Sequence, residues 1–290
     1  MKNKILAGIV VLIIISGCGQ LGAKTPGDVT PESVDYHQGK EGLVLNLIEG
    51  RPPKEIWPGS DFIIEVELRN KGAYDIESGN IKLHGFNPKY ITPSEKEETI
   101  QELKGKSLGY PEGDYATIVF KESNILAPPG KEAMAFTISA EYDYATEASA
   151  EVCVNPELNS VVKTTETICE VKEINLKGGQ GAPVAITAIN EIASYKGMNL
   201  NLNFILDIEN VDEGEVLGNI TIESIKLGGQ ALVCDQAIFR LSKENKKARV
   251  KCGFSIFRPS GPYTSIITAK LTYRYKTKID NKIEVISPAD

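Results

Sequence analysis

The five cysteines are the residues whose chemistry is easiest to anticipate. Cys18 ends an apolar run near the N-terminus, and that run predicts export of the chain. The other four form an even set, which in an exported protein indicates disulfides instead of buried free thiols, and which allows three connectivities. We predict two local bridges, each stabilising the fold by roughly 3 kcal/mol through loop closure. They are Cys153 with Cys169 and Cys234 with Cys252.

The N-terminal segment has the pattern of a signal peptide. Two lysines precede an almost unbroken apolar run over residues 5–15, which is short for a membrane-spanning helix. The sequence Ile15-Ser16-Gly17-Cys18 resembles the lipobox of prokaryotic lipoproteins. That resemblance implies removal of residues 1–17, a lipid on Cys18, and an extracytoplasmic protein held at the cell membrane. The alternative is an uncleaved N-terminal anchor, which leaves the rest of the chain outside the cytoplasm as well.

Few other residues have the types and spacing of a catalytic or metal site. The two histidines, His37 and His84, are too few and too isolated for a zinc site or a Ser-His-Asp arrangement. We therefore predict no enzyme activity, no metal and no cofactor. The acidic run over residues 209–215 could bind Ca²⁺, but it lacks the spacing of a calcium loop, which favours a solvated turn. The glycine-rich run 177–183 precedes strand-like residues, which favours a linker over a phosphate-binding loop.

Possible contacts with partners are few. The net charge of −7 is spread along the chain without a basic patch, which argues against nucleic acid. Trp57 is the single tryptophan and the best candidate for a ligand contact, for example with a sugar. Asn219 begins a glycosylation sequon, which matters only in a host that modifies asparagine. Two Tyr-x-Tyr pairs could also form a stacking platform, although their recurrence favours a packing role; they are Tyr142 with Tyr144 and Tyr273 with Tyr275.

The elements that position these residues are predicted to be strands, and they occur twice. Apolar residues alternate with polar ones from Phe62 to Leu68 before an Asn-Lys-Gly turn, as in a half-buried strand. The pattern returns 140 residues later over residues 202–208, and the tyrosine pair recurs at a spacing of 131. Regularly spaced strand candidates fill most of the remainder, among them residues 133–144 and 148–154 as separate strands. One short helix is predicted over residues 92–105.

The repeat predicts the organisation of the whole chain. We expect an all-β protein with two tandem immunoglobulin-like β-sandwiches, over residues 42–176 and 183–290, after a flexible tether over residues 18–41. With local disulfides, the two sandwiches are joined only by the glycine-rich linker. We therefore expect each to reorient freely, whereas a bridge between them would lock the pair into one rigid rod.

The repeated segments resemble a known type of surface module. Residues 62–72 with Ile81-Lys82-Leu83, and residues 202–214 with 220–227, are similar to the CARDB and related immunoglobulin-like modules of prokaryotic surface proteins. The second copy departs from the Asn-Lys-Gly turn, with Asn-Val-Asp-Glu-Gly in its place. The resemblance implies a binding or structural surface module, for adhesion, spacing or protein–protein interaction. The alternative is a carbohydrate-binding module or an accessory subunit of a surface hydrolase or transporter.

Overall fold

A computed structural model describes residues 35–91, 95–122, 125–126, 130–156, 169–257 and 261–287. The lipobox, Cys18 and most of the tether lie outside this part of the chain. The fold is all-β, as predicted. No helix in the described residues is long and apolar enough to cross a membrane. The strands, in chain order, are β1 (Leu43–Leu47), β2 (Glu55–Ile56), β3 (Phe62–Asn70), β4 (Gly79–His84), β5 (Lys96–Ile100), β6 (Tyr115–Glu122), β7 (Gly130–Val154), β8 (Ile174–Asn175), β9 (Val184–Lys196), β10 (Asn199–Asn210), β11 (Glu215–Leu227), β12 (Gln230–Ala231), β13 (Val233–Cys234), β14 (Ile238–Phe239), β15 (Lys247–Phe257) and β16 (Tyr263–Ser287).

The strands form three sheets. The first outer sheet has the order β1-β3-β6 and belongs to the first repeat, and the second outer sheet, β13-β15-β10-β9-β8, belongs mainly to the second. The third sheet contains strands from both repeats and is called here the shared sheet. Its order is β12-β11-β16-β7-β4-β5, with β14 beside β11 and β2 beside β16.

The alternating sequence pattern explains which faces are buried. Every second residue of β3, from Phe62 to Asn70, is buried, and β10 repeats this from Leu200 to Asn210. The apolar side chains of both strands belong to one hydrophobic core that also includes residues of the shared sheet, such as Ile138 and Leu271. Period-two alternation places all the apolar residues of a strand on one face, so each outer sheet has one apolar side to bury.

The two repeats are joined along the middle of the shared sheet. β7 and β16 each contain 25 residues, and they pair antiparallel from Gly130 with Ser287 to Val154 with Tyr263, with no shift of register. Globular strands usually have 3–10 residues. At 3.2–3.4 Å per residue, this ladder has a contour length of about 80 Å. The sequence predicts separate strands over residues 133–144 and 148–154, but in the structure they belong to one strand.

The end of each long strand extends beyond its own repeat and packs against the other repeat. β4 pairs with β7 only up to Tyr142, and the remainder of β7 continues beside the half of β16 that pairs with β11. Its buried residues Val152 and Val154 enter the core there. Conversely, the end of β16 pairs with β2 of the first repeat and buries Val285. The expectation that the two sandwiches reorient freely is therefore wrong, because Asp35–Asp290 form one compact unit through this ladder.

The predicted short helix over residues 92–105 is also not found where the structure describes that segment. Lys96–Ile100 form strand β5 at an edge of the shared sheet, paired with β4. Ile100 and Leu103 are buried, and Leu103 exchanges two backbone hydrogen bonds with Ile76. The i, i+3 spacing of the two apolar residues suggested a helix, but pairing with a neighbouring strand decides the conformation.

The internal repeat extends to individual hydrogen bonds. The Tyr144 hydroxyl donates to Asn70 Oδ1 at 3.2 Å, and the Tyr275 hydroxyl donates to Asn210 Oδ1 at 3.0 Å. In the same way, the Tyr142 hydroxyl accepts from the Leu43 N–H at 2.9 Å, and the Tyr273 hydroxyl accepts from the Val184 N–H at 3.4 Å. Because Tyr142 pairs with Tyr275 and Tyr144 with Tyr273 in the ladder, the repeats are related by an approximate two-fold axis at this point.

Candidate functional site

The four described cysteines form the two predicted local disulfides, Cys153–Cys169 and Cys234–Cys252. Cys153 lies near the end of β7, in the part of that strand that extends over the second repeat. Cys234 and Cys252 face each other directly across β13 and β15. Both bridges are therefore local in sequence, and the rigidity of the molecule comes from strand pairing instead of from a bridge between the repeats.

Trp57 is exposed on the first repeat, in a segment that neighbours Leu126 and Tyr90. It is 55% exposed in the turn after β2, and the nearby Leu126 is 65% exposed. The segments are tied by backbone hydrogen bonds, from Gly59 N–H to the Ile125 carbonyl at 3.0 Å and from Leu126 N–H to the Tyr90 carbonyl at 2.8 Å. Trp57, Tyr90 and Leu126 are called here the end patch. An exposed aromatic ring beside apolar side chains is typical of a contact surface.

The recurring tyrosines do not form an exposed stacking platform. All four are buried at the centre of the shared sheet, between 0% and 5% exposed. Their rings meet edge to face, for example Tyr142 and Tyr275 with centroids 6.1 Å apart. Burial raises the pKa of the Tyr142 and Tyr273 hydroxyls well above the ordinary value. These residues therefore have the packing role that their recurrence favoured.

The acidic turn over residues 209–215 is an ion-paired surface turn. Glu209 pairs with Lys247 and Glu215 with Lys243, each at 3.0 Å. Burial raises the pKa of Asp212. In the described residues, no group of three or more histidine, cysteine or acidic side chains could hold a metal ion. Asn219 of the sequon is exposed, and its Oδ1 accepts a hydrogen bond from Arg240.

The glycine-rich run is held in place by backbone hydrogen bonds to the first repeat and to the residues just before it. Gly181 N–H donates to the Gly39 carbonyl at 2.9 Å, and Ala73 N–H donates to the Gly181 carbonyl at 2.8 Å. Gly181 has a φ of +66°, and a Cβ there would lie 2.7 Å from the Ala73 side chain. The run leads into strand β9 and not into a helix, so it lacks the geometry of a phosphate-binding loop. It connects the repeats, but it is not a free linker.

A polar cleft of about 740 Å³ lies beside this run. Its lining includes Asp35, His37, Glu147 and Lys270. Lys270 Nζ lies 3.3 Å from Glu223 and 5.5 Å above the Tyr74 ring. Partial burial opposes the charge of Lys270, but its pKa is still raised by the hydrogen bond to Glu223. A lysine whose positive charge is stabilised by a neighbouring carboxylate stays protonated and is a poor nucleophile or base.

The structure brings together one pair of catalytic residue types that lie far apart in the sequence, His84 and Ser139. His84 Nε2 lies 3.2 Å from Ser139 Oγ, because β4 and β7 are neighbours in the shared sheet. Burial, followed by the charges of Lys276 and Lys82, lowers the pKa of His84. Ser139 is only 4% exposed, and its strand is paired on both sides, so the nearby backbone N–H groups serve the sheet. These N–H groups are therefore not available as the oxyanion donors that acyl transfer requires.

Comparisons with known proteins add little to this geometry. No protein-family model matches the chain, and no curated protein matches it. Among solved structures, the E. coli chaperone DraB aligns with 76% of this chain and 87% of its own length, at 10% sequence identity and a TM-score of 0.19. A TM-score this low supports no conclusion about fold or function.

Proposed function

We propose that this protein is a lipid-anchored cell-surface module with a binding or structural role, in adhesion, spacing or protein–protein interaction. The continuous β7–β16 ladder is the observation that favours this function most strongly. Because the ladder joins both repeats in one compact unit, they keep a fixed orientation to each other, which suits a spacer or a presentation module. The disulfides suit an oxidising compartment outside the cytoplasm.

The proposed anchor rests on the sequence around Cys18. The apolar run and Ile15-Ser16-Gly17-Cys18 resemble the signal and lipobox of prokaryotic lipoproteins. Two acyl chains, each CH₂ stabilising the membrane-bound form by about 0.8 kcal/mol, give long-lived attachment, whereas one chain is marginal. The lack of a complete catalytic arrangement around His84 or Lys270 favours binding over catalysis.

The anchor is tested by metabolic labelling with a radioactive fatty acid, followed by membrane fractionation. Wild type should be labelled and should sediment with membranes. The Cys18→Ala variant should lose the label completely. The Cys234→Ala/Cys252→Ala variant removes two other cysteines and should keep the label. A labelled Cys18→Ala protein would contradict the lipid anchor.

A carbohydrate-binding or accessory role is the second candidate, and the end patch favours it. Its exposed Trp57 ring offers a flat apolar face of the kind that stacks on a sugar. Binding to a glycan array that disappears in Trp57→Ala, but persists in Leu108→Ala, would support this role. Leu108 is the matched control because it is 66% exposed and lies outside the end patch. Unchanged binding in Trp57→Ala would exclude the end patch as the sugar site.

A further inference from the structure

Strand β6 is an unprotected edge of the first outer sheet. Among the described residues, its only strand neighbour is β3, and the pairing runs without a bulge from Tyr115 to Glu122. Thr117 and Val119 are exposed, and β6 contains no proline. Long, regular edge strands without protective charges or bulges recruit other strands, and natural proteins usually block them.

The free backbone groups of β6 can be identified from its hydrogen bonds to β3. Asn70 N–H donates to the Asp114 carbonyl, so in this register the even-numbered residues of β6 bond to β3. The N–H and C=O groups of Thr117 and Val119 therefore point away from the sheet. Two groups at the ends are already occupied, since Tyr115 N–H donates to Asp114 Oδ1.

The other occupied group is the Lys121 carbonyl, which accepts a hydrogen bond from Lys96 Nζ. The free part of the edge therefore begins with the Tyr115 carbonyl and ends with the Lys121 N–H. Between them lie the donors and acceptors of Thr117 and Val119. No described residue bonds to these groups, and they form one short, well-defined binding edge.

The second repeat shows how such an edge is satisfied. Val66 faces Ile118 in the first repeat, and its equivalent Leu206 faces Val250 in the second, so Lys251 is the equivalent of Val119. The Lys251 carbonyl accepts from Asp235 N–H at 2.9 Å, and its N–H donates to Asp235 Oδ1 at 3.0 Å. The second repeat thus covers this edge with its own chain, whereas the first repeat leaves it open.

We propose that the open edge of β6 binds the β6 edge of a second copy of this chain, antiparallel and with its two-fold axis at Ile118. In that register, Thr117 faces Val119 of the other copy, and each exchanges both of its free backbone groups. At the ends, the free Tyr115 carbonyl meets the free Lys121 N–H. The two groups that cannot bond, Tyr115 N–H and the Lys121 carbonyl, also face each other, and both are already satisfied within their own chain.

Charge along β6 favours this antiparallel self-pairing. Glu112 and Asp114 precede the strand, whereas Lys121 and Lys96 lie at its end. Arg69 above the Tyr115 ring is paired with Glu67, and Glu122 is paired with Lys96. In the antiparallel register Asp114 of one copy faces Glu122 of the other, whose charge Lys96 offsets, and Lys121 follows beside it. A parallel pair would instead place the acidic residues 112 and 114 of both copies side by side.

Cysteine crosslinking tests the register directly. Differently tagged full chains carrying Thr117→Cys or Val119→Cys are co-expressed, and membranes are treated with a mild oxidant. Facing Cα atoms in a hydrogen-bonded pair lie about 5.5 Å apart, which a disulfide can span, whereas diagonal neighbours lie about 7–8 Å apart. We expect the mixed 117/119 dimer to exceed either same-site dimer at least tenfold. Equal yields, no crosslink, or crosslinking only to another protein would each overturn the proposal.

A second measurement removes the backbone donor without adding a thiol. In the monomer the Val119 N–H is unbonded, and proline is tolerated at such edge positions, so Val119→Pro should fold. Sedimentation equilibrium of the full chain in detergent should show a dimer for wild type and for the control Val119→Ala. Val119→Pro should weaken dimerisation at least tenfold. A Val119→Pro variant that keeps wild-type circular dichroism and dimerises normally would overturn the proposal.

Discussion

Replacing Asn70 by alanine should destabilise this protein more than the equivalent change at Asn210. Both asparagines end the central strand of their repeat and are buried, with exposed fractions of 0% and 7%. Both accept a hydrogen bond from a buried tyrosine hydroxyl. The repeat therefore provides two sites with the same residue, the same strand position and a different number of hydrogen bonds.

The Asn70 side chain makes four hydrogen bonds. Its Nδ2 donates to the Tyr74 carbonyl at 2.8 Å and to the Leu103 carbonyl at 3.1 Å. Its Oδ1 accepts from the Gly72 N–H and from the Tyr144 hydroxyl, both at 3.2 Å. At a net contribution of about 1 kcal/mol for each bond, Asn70→Ala should lower the free energy of unfolding by about 4 kcal/mol.

The Asn210 side chain makes two of the corresponding bonds. Its Nδ2 donates to the Gly214 carbonyl at 2.9 Å, and its Oδ1 accepts from the Tyr275 hydroxyl at 3.0 Å. The same estimate gives a loss of about 2 kcal/mol for Asn210→Ala. For a fold of this size, the difference of about 2 kcal/mol corresponds to about 4–8 °C in Tm.

Urea and thermal unfolding followed by circular dichroism measure both losses. Asp35–Asp290 form one compact unit, so both variants should be read on the same transition. Asn80→Ala is the control, because Asn80 lies exposed on β4 and its replacement should change the free energy of unfolding by less than about 0.5 kcal/mol. Equal losses at Asn70 and Asn210, or a larger loss at Asn210, would refute the hydrogen-bond argument.

Two further predictions follow from the ladder and from a buried carboxyl group. When a protease site inserted after Lys177 is cut, the two fragments should stay associated whether or not a reductant is present, because the β7–β16 ladder holds them. Fragments that separate on gel filtration without denaturant would contradict this. Burial raises the pKa of Glu191 from its ordinary value of 4.5 to about 7, so the folded state binds this proton more tightly. Stability should therefore fall as pH rises from about 4.5 to about 7 and then level off. Urea titrations across this range should show that slope in wild type and a smaller slope in Glu191→Gln.

Local sequence patterns predicted much of the fold. Alternation identified the buried face of β3 and of β10, because side chains in a strand alternate strictly between two faces. Repeated spacing revealed the duplication, and the positions of the cysteines within each repeat indicated both local disulfides. The recurrence of the tyrosines indicated their packing role. Each of these inferences depends on residues that are close in sequence or that recur at a fixed spacing.

Strand neighbours were decided by the tertiary structure. Nothing in the local pattern of residues 130–154 shows that this segment pairs along its whole length with residues 263–287, because alternation defines faces and not partners. The contact between His84 and Ser139 and the strand conformation of residues 96–100 depend on the same pairing. The difference between the open edge at Val119 and the covered edge at Lys251 also depends on which segments pair. Backbone hydrogen bonds between distant segments leave almost no trace in the side-chain sequence.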